Sequence, residues 1–492
     1  MTAAEAVTES ITAKAGRGLR WSLLGTMVTK VGSFAMGLVL ARLLAPADFG
    51  VYAIALAATA VLMHINDVGL IAATVQWRGR LEDMAPTASA MAATFATTVY
   101  GLFWLSAPLF AQASGNREAT PVVRLLTLVI VIDGLTAVRC AALMRTFQQQ
   151  RLIAANAAGL AVNAVLAIGL AVSGAGPYSF VWGQLAGAVV TGVLVFRFAR
   201  LPVRLGLERT IARKLVGFGL PLAASLGVDA IVTNVQFIIV GRLAGTASLG
   251  FYLLAFNVSS WAQTVLGTAI RYVSVAGFSR LSEHDDEALS VGVQRSMPLL
   301  VMVVAPIVAL TSVLARPLVS LLYGHSWAPA APVLGILVVV TLVRMVTGLA
   351  MDVLMGAGAT RSTLWLNLGW AAALIPTLWF ATGHDGIRGA AIAQTSVGFL
   401  VAIPLSALAL RRAGVELAPI GPALVRPLLG ALLAAATATT MARLVGPNAF
   451  VQLAVAGAAG MLVYIPVAVP RVMLRQWLAA ARRRAPAHAV AE

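Results

Sequence analysis

The chain has 492 residues, of which 60% are hydrophobic and 11% are charged, and its mean hydropathy is +0.90. Soluble domains carry about a quarter of charged residues, so this composition excludes a water-soluble fold and predicts a protein whose solvent is the bilayer. The net charge of +17 could indicate nucleic-acid binding, but the basic residues cluster in short loops between apolar runs. That distribution is typical of membrane topology signals and argues against a nucleic-acid partner.

Apolar runs long enough to cross a bilayer recur along the whole chain. The first run, 21–44, is too long for the core of a signal peptide, and Glu5 and Glu9 precede it, so it is predicted to be a retained span. The sequence predicts about fourteen spans, all helical because backbone groups in lipid have no other partner. The predicted spans are 21–44, 50–74, 85–110, 122–144, 152–174, 178–197, 215–241, 250–272, 294–315, 332–356, 363–382, 387–410, 425–446 and 451–470.

An internal duplication divides the chain. Residues 41–55 and 241–255 align without a gap. Three matched pairs are of residue types that chance rarely aligns in so apolar a chain: Arg42 with Arg242, Gly50 with Gly250, and Tyr52 with Tyr252. An even number of predicted spans separates the copies, so the halves are parallel repeats related by a pseudo-two-fold axis along the membrane normal.

The predicted fold class is therefore an all-α polytopic membrane protein with two pseudo-symmetric six-helix lobes and two further C-terminal helices. Most of the 35 basic residues fall on one side, which predicts that both termini are cytoplasmic. The predicted segments are a cytoplasmic N-terminus (1–20), a first lobe (21–200), a basic cytoplasmic linker (201–214), a second lobe (215–411), helices 13 and 14 (412–470) and a basic cytoplasmic tail (471–492).

Catalytic signatures are absent from the sequence. It contains no P-loop, no GxSxG elbow and no HExxH zinc motif. The single cysteine, Cys140, excludes an intrachain disulfide and a cysteine-based metal cluster, and the five histidines have no metal-ligand spacing. The sequence therefore predicts neither an enzyme nor a bound metal or other cofactor.

Basic residues inside predicted spans are candidates for substrate binding. A charge near the bilayer centre costs about 2.5–3.5 kcal/mol on insertion scales, so it is expected to face a wet cavity or a partner. Lys30, Arg139 and Arg344 are predicted to line a cavity for an anionic ligand, such as a pyrophosphate or an acidic sugar.

Acidic residues in the spans are candidates for coupling transport to a proton or an ion: Asp133, Asp229 and Asp67. For Asp67, as for Asp352, the alternative is a simple position at the membrane interface. For Asp133 and Arg139 the alternative is a structural pair with another helix, because their spacing of six does not suit a direct contact along one helix.

The duplicated motif itself is interpreted as architecture. Arg42 and Arg242 would anchor the outer headgroup region. Gly50 and Gly250 would allow a tight turn between two helices.

Further segments carry a family resemblance through their joint order and spacing. They are LARLLAPADFGVYA (Leu40–Ala53), DVGLIAATVQ (Asp67–Gln76), AVSGAGPYSFVWGQLAG (Ala171–Gly187), GRLAGTASLGFYLLAFNV (Gly241–Val258), FSRLSEHDDEA (Phe278–Ala288), LLYGHSWAPAAPVLGIL (Leu321–Leu337), MGAGATR (Met355–Arg361) and GIRGAAIAQT (Gly386–Thr395). Over residues 15–411 the chain resembles the polysaccharide-transport (Wzx-type flippase) family of the multidrug/oligosaccharidyl-lipid/polysaccharide exporter superfamily.

The resemblance implies two lobes around a central cavity that opens alternately to each side. It implies that an undecaprenyl-pyrophosphate-linked oligosaccharide moves from the inner to the outer leaflet of a bacterial plasma (inner) membrane, for capsule, exopolysaccharide or O-antigen synthesis. Membrane lipids are implied partners, with a polysaccharide polymerase and a chain-length regulator as further candidates. The two added helices near 425–470 are similar to an addition in the lipid II flippase branch, where it helps to form a groove for the lipid tail.

Three alternatives to a flippase stay open. A cation-coupled multidrug exporter of the same superfamily would use Asp67 or Asp133. A membrane-embedded polymerase or acyltransferase is disfavoured by the short outer loops. A scaffold for polysaccharide assembly would not transport at all.

Overall fold

The computed structural model describes residues 25–66, 74, 77, 79–146, 148–202, 204, 206–261, 286–356 and 360–469. The side chains at 218–230, 232, 286–289, 356, 360, 361 and 364 lie outside this description. Every regular element among the described residues is a helix, and 11 of them are long and apolar enough to cross a membrane. The all-α polytopic class is thereby confirmed, whereas the total of about fourteen spans stays a prediction.

The chain divides into two compact units, Met1–Leu253 and Leu254–Glu492. The helices of the first unit are α1 Gly25–Leu43, α2 Pro46–Asn66, α3 Leu81–Ala113, α4 Thr120–Thr127, α5 Val129–Arg145, α6 Gln149–Val172, α7 Tyr178–Phe198 and α8 Arg209–Ala244. Helix α9, residues 246–261, begins before the unit boundary and ends after it. The second unit continues with α10 Asp286–Val313, α11 Ala315–Tyr323, α12 Ala330–Gly356, α13 Thr360–Val397, α14 Ile403–Arg412, α15 Ile420–Leu444 and α16 Ala449–Ala468.

Helix α8 packs against α2 and α3 of the first unit. The sequence assigns this helix to the start of the second repeat. The predicted linker at 201–214 separates the two sequence repeats, whereas the two units are defined by contacts between residues. The linker therefore stays a prediction.

The segment Trp365–Arg412 is apolar over 48 residues. A continuous helix of that length would measure about 72 Å, more than twice the hydrocarbon thickness of a bilayer. Asp385 and Gly386 leave the helical conformation, with a φ of +54° at the glycine. This break falls between the predicted spans 363–382 and 387–410, and it allows the segment to reverse direction.

Small residues bring α6 and α7 close together. Gly159 of α6 faces the backbone of Gly187 and the side chain of Thr191 on α7, and the Thr191 hydroxyl donates to the carbonyl of Ala155 at 3.3 Å. Ala155 and Gly159 are four residues apart on α6, and Gly187 and Thr191 are four residues apart on α7. The small residues therefore form a continuous stripe along each helix. Close packing of this kind drives helix association in lipid, where the hydrophobic effect between helices is absent.

The last two helices belong to the core of the second unit. Buried residues of α10, α12, α15 and α16 share one apolar cluster. Tyr464 of α16 donates its hydroxyl to the carbonyl of Met302 at 2.6 Å. Gly460 lets Leu310 of α10 and Ala434 of α15 approach α16 closely.

Large apolar side chains point outward along the helices. Leu105, Leu109, Val165, Leu400 and Leu462 are each at least 70% exposed. In water such a surface would be an aggregation or interaction patch, whereas lipid solvates it at little cost. The exposure pattern therefore agrees with a membrane environment.

The two units repeat a local arrangement outside the aligned motif. Gly115, with a φ of +86°, precedes a short 3₁₀ turn at Arg117–Ala119 and then α4. Gly324, with a φ of +92°, precedes a 3₁₀ turn at His325–Trp327 and then α12. Positive φ favours glycine, so the same chain reversal is built in the same way in both units.

The interpretation of Gly50 and Gly250 as turn residues is wrong. Both lie inside helices, as the fifth residues of α2 and α9. The positive φ at the second hairpin belongs to Gly245, at +85°. Gly50 and Gly250 are required for a close backbone approach instead of a turn.

Candidate functional site

Arg344 lines a small, partly open pocket within the second unit. The pocket is formed by α9, α12 and α13. Its lining residues are Phe256, Ser259, Ser260, Leu337, Val340, Thr341, Arg344 and Gln394. Arg344 is one of the three basic residues predicted to bind an anion, and the structure places it in this pocket.

The walls of this pocket combine one cation with neutral polar groups. The Arg344 guanidinium lies 5.3 Å from the centre of the Phe256 ring, within the range of a cation–π contact. The Thr341 hydroxyl donates to the carbonyl of Ser259 at 3.0 Å and joins α12 to α9. Gln394 of α13 is only 3% exposed, so its amide is fixed in the pocket wall by packing.

A π-helical turn lies beside this pocket. It spans Gly398–Ala402, one turn beyond Gln394. A Cβ at Gly398 would lie 3.0 Å from Val343, the residue before Arg344, so the π-turn packs directly on α12. Such turns are rare and often occur at functional sites.

Arg139 is buried in the first unit, with 3% of its surface exposed. Its guanidinium stacks on the Phe196 ring of α7 at 3.9 Å and donates to the carbonyl of Pro202 at 3.4 Å. Its Nε has no acceptor among the described residues. The packing of α5 against α7 thus holds a cation next to the chain that leads from α7 to α8.

Asp133, one and a half turns before Arg139 on α5, contacts α2. The Asn66 amide donates to the Asp133 carboxylate at 3.4 Å and to the carbonyl of Ile130 at 3.3 Å. Asn66 is buried, and its Oδ1 has no donor in the part of the chain that the structure describes. The result is a polar pair between two apolar helices.

Lys30 and Asp352 are described by the structure and do not line this pocket, whereas two acidic candidates lie outside the description. Lys30 is exposed on α1. Asp352 is half-buried on α12. Asp229 belongs to α8, but its side chain lies outside the described residues, as does the whole of Asp67.

Sequence reasoning missed Asn66, which contacts Asp133, and Gln394, which lines the same pocket as Arg344. Each is a buried amide inside an apolar run, and that was the available signal, because a buried amide requires hydrogen-bonding partners. No group of three or more His, Cys, Asp or Glu side chains suited to a metal ion occurs among the described residues.

A family model described as "Polysaccharide biosynthesis protein" matches residues 39–332. The succinoglycan biosynthesis transport protein ExoT of Rhizobium meliloti (strain 1021) is 27% identical over 485 residues, which cover 96% of each chain. The lipopolysaccharide biosynthesis protein WzxC of Escherichia coli (strain K12) is 23% identical over 400 residues, which cover 80% of this chain and 79% of WzxC.

Solved structures share the fold at low sequence identity. The lipid II flippase MurJ in an inward closed conformation has a TM-score of 0.76 and 13% identity, with 93% of this chain and 99% of MurJ covered. An inward-facing multidrug resistance MATE family transporter of the MOP superfamily has a TM-score of 0.63 and 16% identity, with 78% of this chain and 94% of the transporter covered. The predicted fold of that exporter superfamily is confirmed.

Proposed function

We propose, from the premise that the chain belongs to the polysaccharide biosynthesis protein family, that it is a flippase for a lipid-linked precursor of a polysaccharide. The observation that carries the proposal is the end-to-end match with a protein named for succinoglycan transport. The fold that the chain shares with a lipid II flippase supports the same step. Translocation of the precursor is therefore the step assigned to this multi-pass membrane protein.

The proposed substrate is an undecaprenyl-pyrophosphate-linked oligosaccharide. Its polyprenyl tail stays in lipid while the sugar crosses from the inner to the outer leaflet of a bacterial plasma membrane. The basic bias of alternate loops supports cytoplasmic termini. A polysaccharide polymerase and a chain-length regulator are the partners that such a product requires next.

The proposed mechanism is alternating access, with polar side chains lining the path. Lys30, Arg139 and Arg344 are the proposed contacts for anionic groups of the substrate. The pocket around Arg344 supports its assignment most directly, because it joins a guanidinium to neutral hydrogen-bonding groups.

Coupling to a proton or an ion is proposed for the acidic residues Asp133, Asp229 and Asp67. Asp133 has the best structural support, since the Asn66 amide fixes its carboxylate between two helices. A charge inside a membrane span is costly unless it faces a partner or a wet cavity.

The test is the pool of lipid-linked oligosaccharide in a strain that lacks the gene. A membrane-impermeant reagent that modifies sugars reports which leaflet the oligosaccharide faces. We expect intact units to accumulate facing inward while surface polymer is lost, and expression of the chain to restore the polymer. Units that accumulate facing outward would assign the protein to a later step and reject the flippase. An unchanged pool would favour a multidrug exporter instead.

A further inference from the structure

We infer that Arg124 and Trp104 form a binding site for the phosphate of a membrane phospholipid on the lipid-facing side of the first unit. The headgroup phosphate binds the guanidinium, and the acyl chains lie along α3. Neither residue is among those proposed to contact the transported substrate, so the inference does not depend on the flippase assignment.

A proline in α3 explains where the Arg124 guanidinium lies. Pro108 is inside this helix and has no N–H, so the carbonyl of Trp104, four residues earlier, lacks its usual helical donor. The Nε of Arg124, on α4, donates to that carbonyl at 3.0 Å. The guanidinium also lies over the Trp104 ring, 3.9 Å from its centre. These two contacts hold the cation against the side of α3.

The charge of Arg124 is not balanced by a carboxylate in the part of the chain that the structure describes. Both side-chain contacts are to neutral groups, and no ion pair includes this arginine there. Because Nε serves the Trp104 carbonyl, the two Nη groups can donate together to one phosphate. One cation balances the single negative charge of a phosphodiester, whereas a pyrophosphate carries more negative charge than one cation balances.

Exposed leucines beside Trp104 provide a surface for acyl chains. Leu102, Leu105 and Leu109 are between 65% and 70% exposed, and Trp104 is 42% exposed. The leucines recur after three and four residues, so they share one face of α3. Such a face is solvated by lipid at little cost. The guanidinium therefore lies next to a surface that acyl chains cover.

The predicted topology places the pair near the outer membrane interface. With cytoplasmic termini, the predicted span 85–110 ends on the outer side and 122–144 begins there. Trp104 lies six residues inside the first of these ends and Arg124 two residues inside the second, so both are within about 9 Å of an outer end. Tryptophan is enriched at this level of a bilayer, and the phosphates of the outer leaflet lie next to it.

The second unit shows that the chain reversal after α3 does not require an arginine. Arg124 is the ninth residue after Gly115, and Val333 is the ninth residue after Gly324, the corresponding glycine with positive φ. Val333 is 1% exposed. An apolar side chain thus serves at the corresponding position, so Arg124 adds a property that the repeated architecture does not need.

The first experiment measures lipid binding to the purified full-length protein in detergent by native mass spectrometry. The probes are phosphatidylglycerol, a diacylglycerol with the same chains but no phosphate, inorganic phosphate and undecaprenyl pyrophosphate. We expect the first phosphatidylglycerol to bind at least about tenfold more tightly than diacylglycerol, because a charged hydrogen-bonded pair is added. Inorganic phosphate should not displace it, since it lacks the chains.

Arg124→Gln should weaken the binding of phosphatidylglycerol at least about tenfold, to the level of diacylglycerol. The matched control is Arg117→Gln, which removes an exposed arginine of the neighbouring 3₁₀ turn and should leave the affinity unchanged. If Arg124→Gln fails to fold, Pro108→Ala is added to it. Alanine restores an N–H for the Trp104 carbonyl, so the double variant should fold and still lack tight binding.

Thermal unfolding separates a lipid site from a purely structural role of Arg124. Phosphatidylglycerol should raise the melting temperature of the wild type and of Pro108→Ala more than that of the variants without the arginine. The same increase in all of them would overturn the inference.

Three binding results would overturn it as well. The first is equal affinity for phosphatidylglycerol with and without Arg124, and the second is equal affinity of the wild type for phosphatidylglycerol and diacylglycerol. The third is displacement of phosphatidylglycerol from Arg124 by one of the other anions. Displacement by inorganic phosphate would assign the site to a free anion, and displacement by undecaprenyl pyrophosphate would assign it to a transported lipid.

Discussion

Gly50 and Gly250 occupy equivalent positions of the duplicated motif, and each lies against the backbone at the start of the other's helix. A Cβ at Gly50 would overlap the carbonyl of Thr246. A Cβ at Gly250 would overlap the carbonyl of Pro46 and lie 3.1 Å from the Gly50 nitrogen. The contact is reciprocal, so the two copies of the motif form a local two-fold arrangement within the first unit.

Replacement of either glycine by alanine should destabilise the protein. The added methyl group meets backbone rather than the end of a flexible side chain, so helices α2 and α9 must separate. Overpacking typically costs about 1–3 kcal/mol, and the backbone contact places this case at the upper end. The melting temperature of Gly50→Ala and of Gly250→Ala in detergent checks the expectation.

The matched control for both variants is Gly101→Ala on α3, because a Cβ there meets nothing within 4 Å. That change should be neutral or stabilise the helix by up to about 1 kcal/mol. The double variant should lose less than the sum of the single losses, since one separation relieves both overlaps. A strictly additive loss would show that the two contacts are independent.

Helix α6 contains two glycines with different surroundings. Gly159 faces Gly187 and Thr191 of α7, whereas a Cβ at Gly169 meets nothing within 4 Å. Gly159→Ala should therefore lower stability by about 1–3 kcal/mol, and Gly169→Ala should not lower it. Thermal unfolding measured by tryptophan fluorescence distinguishes them. Equal effects would mean that the α6–α7 stripe is not closely packed in the membrane.

The fold class was predictable because its signals are local and strong. Apolar runs of span length, the basic loops and the register of 41–55 on 241–255 all follow from the sequence alone. The role of Gly50 was not predictable in the same way. A glycine beside a hairpin suggests a turn, and only the approach of α9 reveals that it serves close packing.

Only part of the candidate site was predictable from the sequence. An arginine in an apolar run such as Arg344 is conspicuous, because its insertion is costly. Gln394 and Thr341 line the same pocket. Gln394 lies on another helix, Thr341 resembles an ordinary helix residue, and no spacing rule joins either of them to Arg344. Asn66 is likewise joined to Asp133 only by the packing of α2 on α5.

Arg139→Met should reduce flipping without loss of folded protein. Arg139 is buried and has no salt-bridge partner among the described residues, so its removal relieves the cost of an uncompensated charge. Methionine keeps an unbranched apolar side chain against Phe196. We expect an unchanged or higher melting temperature together with slower transport of the lipid-linked oligosaccharide. A lower melting temperature with normal transport per folded molecule would make Arg139 a structural residue.

Asp133→Asn should uncouple transport from a proton gradient if Asp133 binds the coupling proton. Asparagine retains an oxygen that accepts from the Asn66 amide, and its own amide can reach the Asn66 Oδ1 that has no donor among the described residues. The packing of α2 on α5 should therefore persist, while the group that exchanges a proton is removed. Proteoliposomes with and without an imposed pH gradient check this. The wild type should transport faster with the gradient, and the variant should transport at the rate that lacks it.

The matched control for this experiment is Glu82→Gln, which removes an exposed carboxylate at the first turn of α3. It should leave the gradient dependence intact, because that carboxylate is exposed and pairs only with the neighbouring, exposed Arg80 among the described residues. A variant Asp133→Asn that still responds fully to the gradient would exclude Asp133. The same measurement on Asp229→Asn would then decide whether the second acidic candidate binds the proton. Asp229 matches Lys30 to within one residue in the duplicated register.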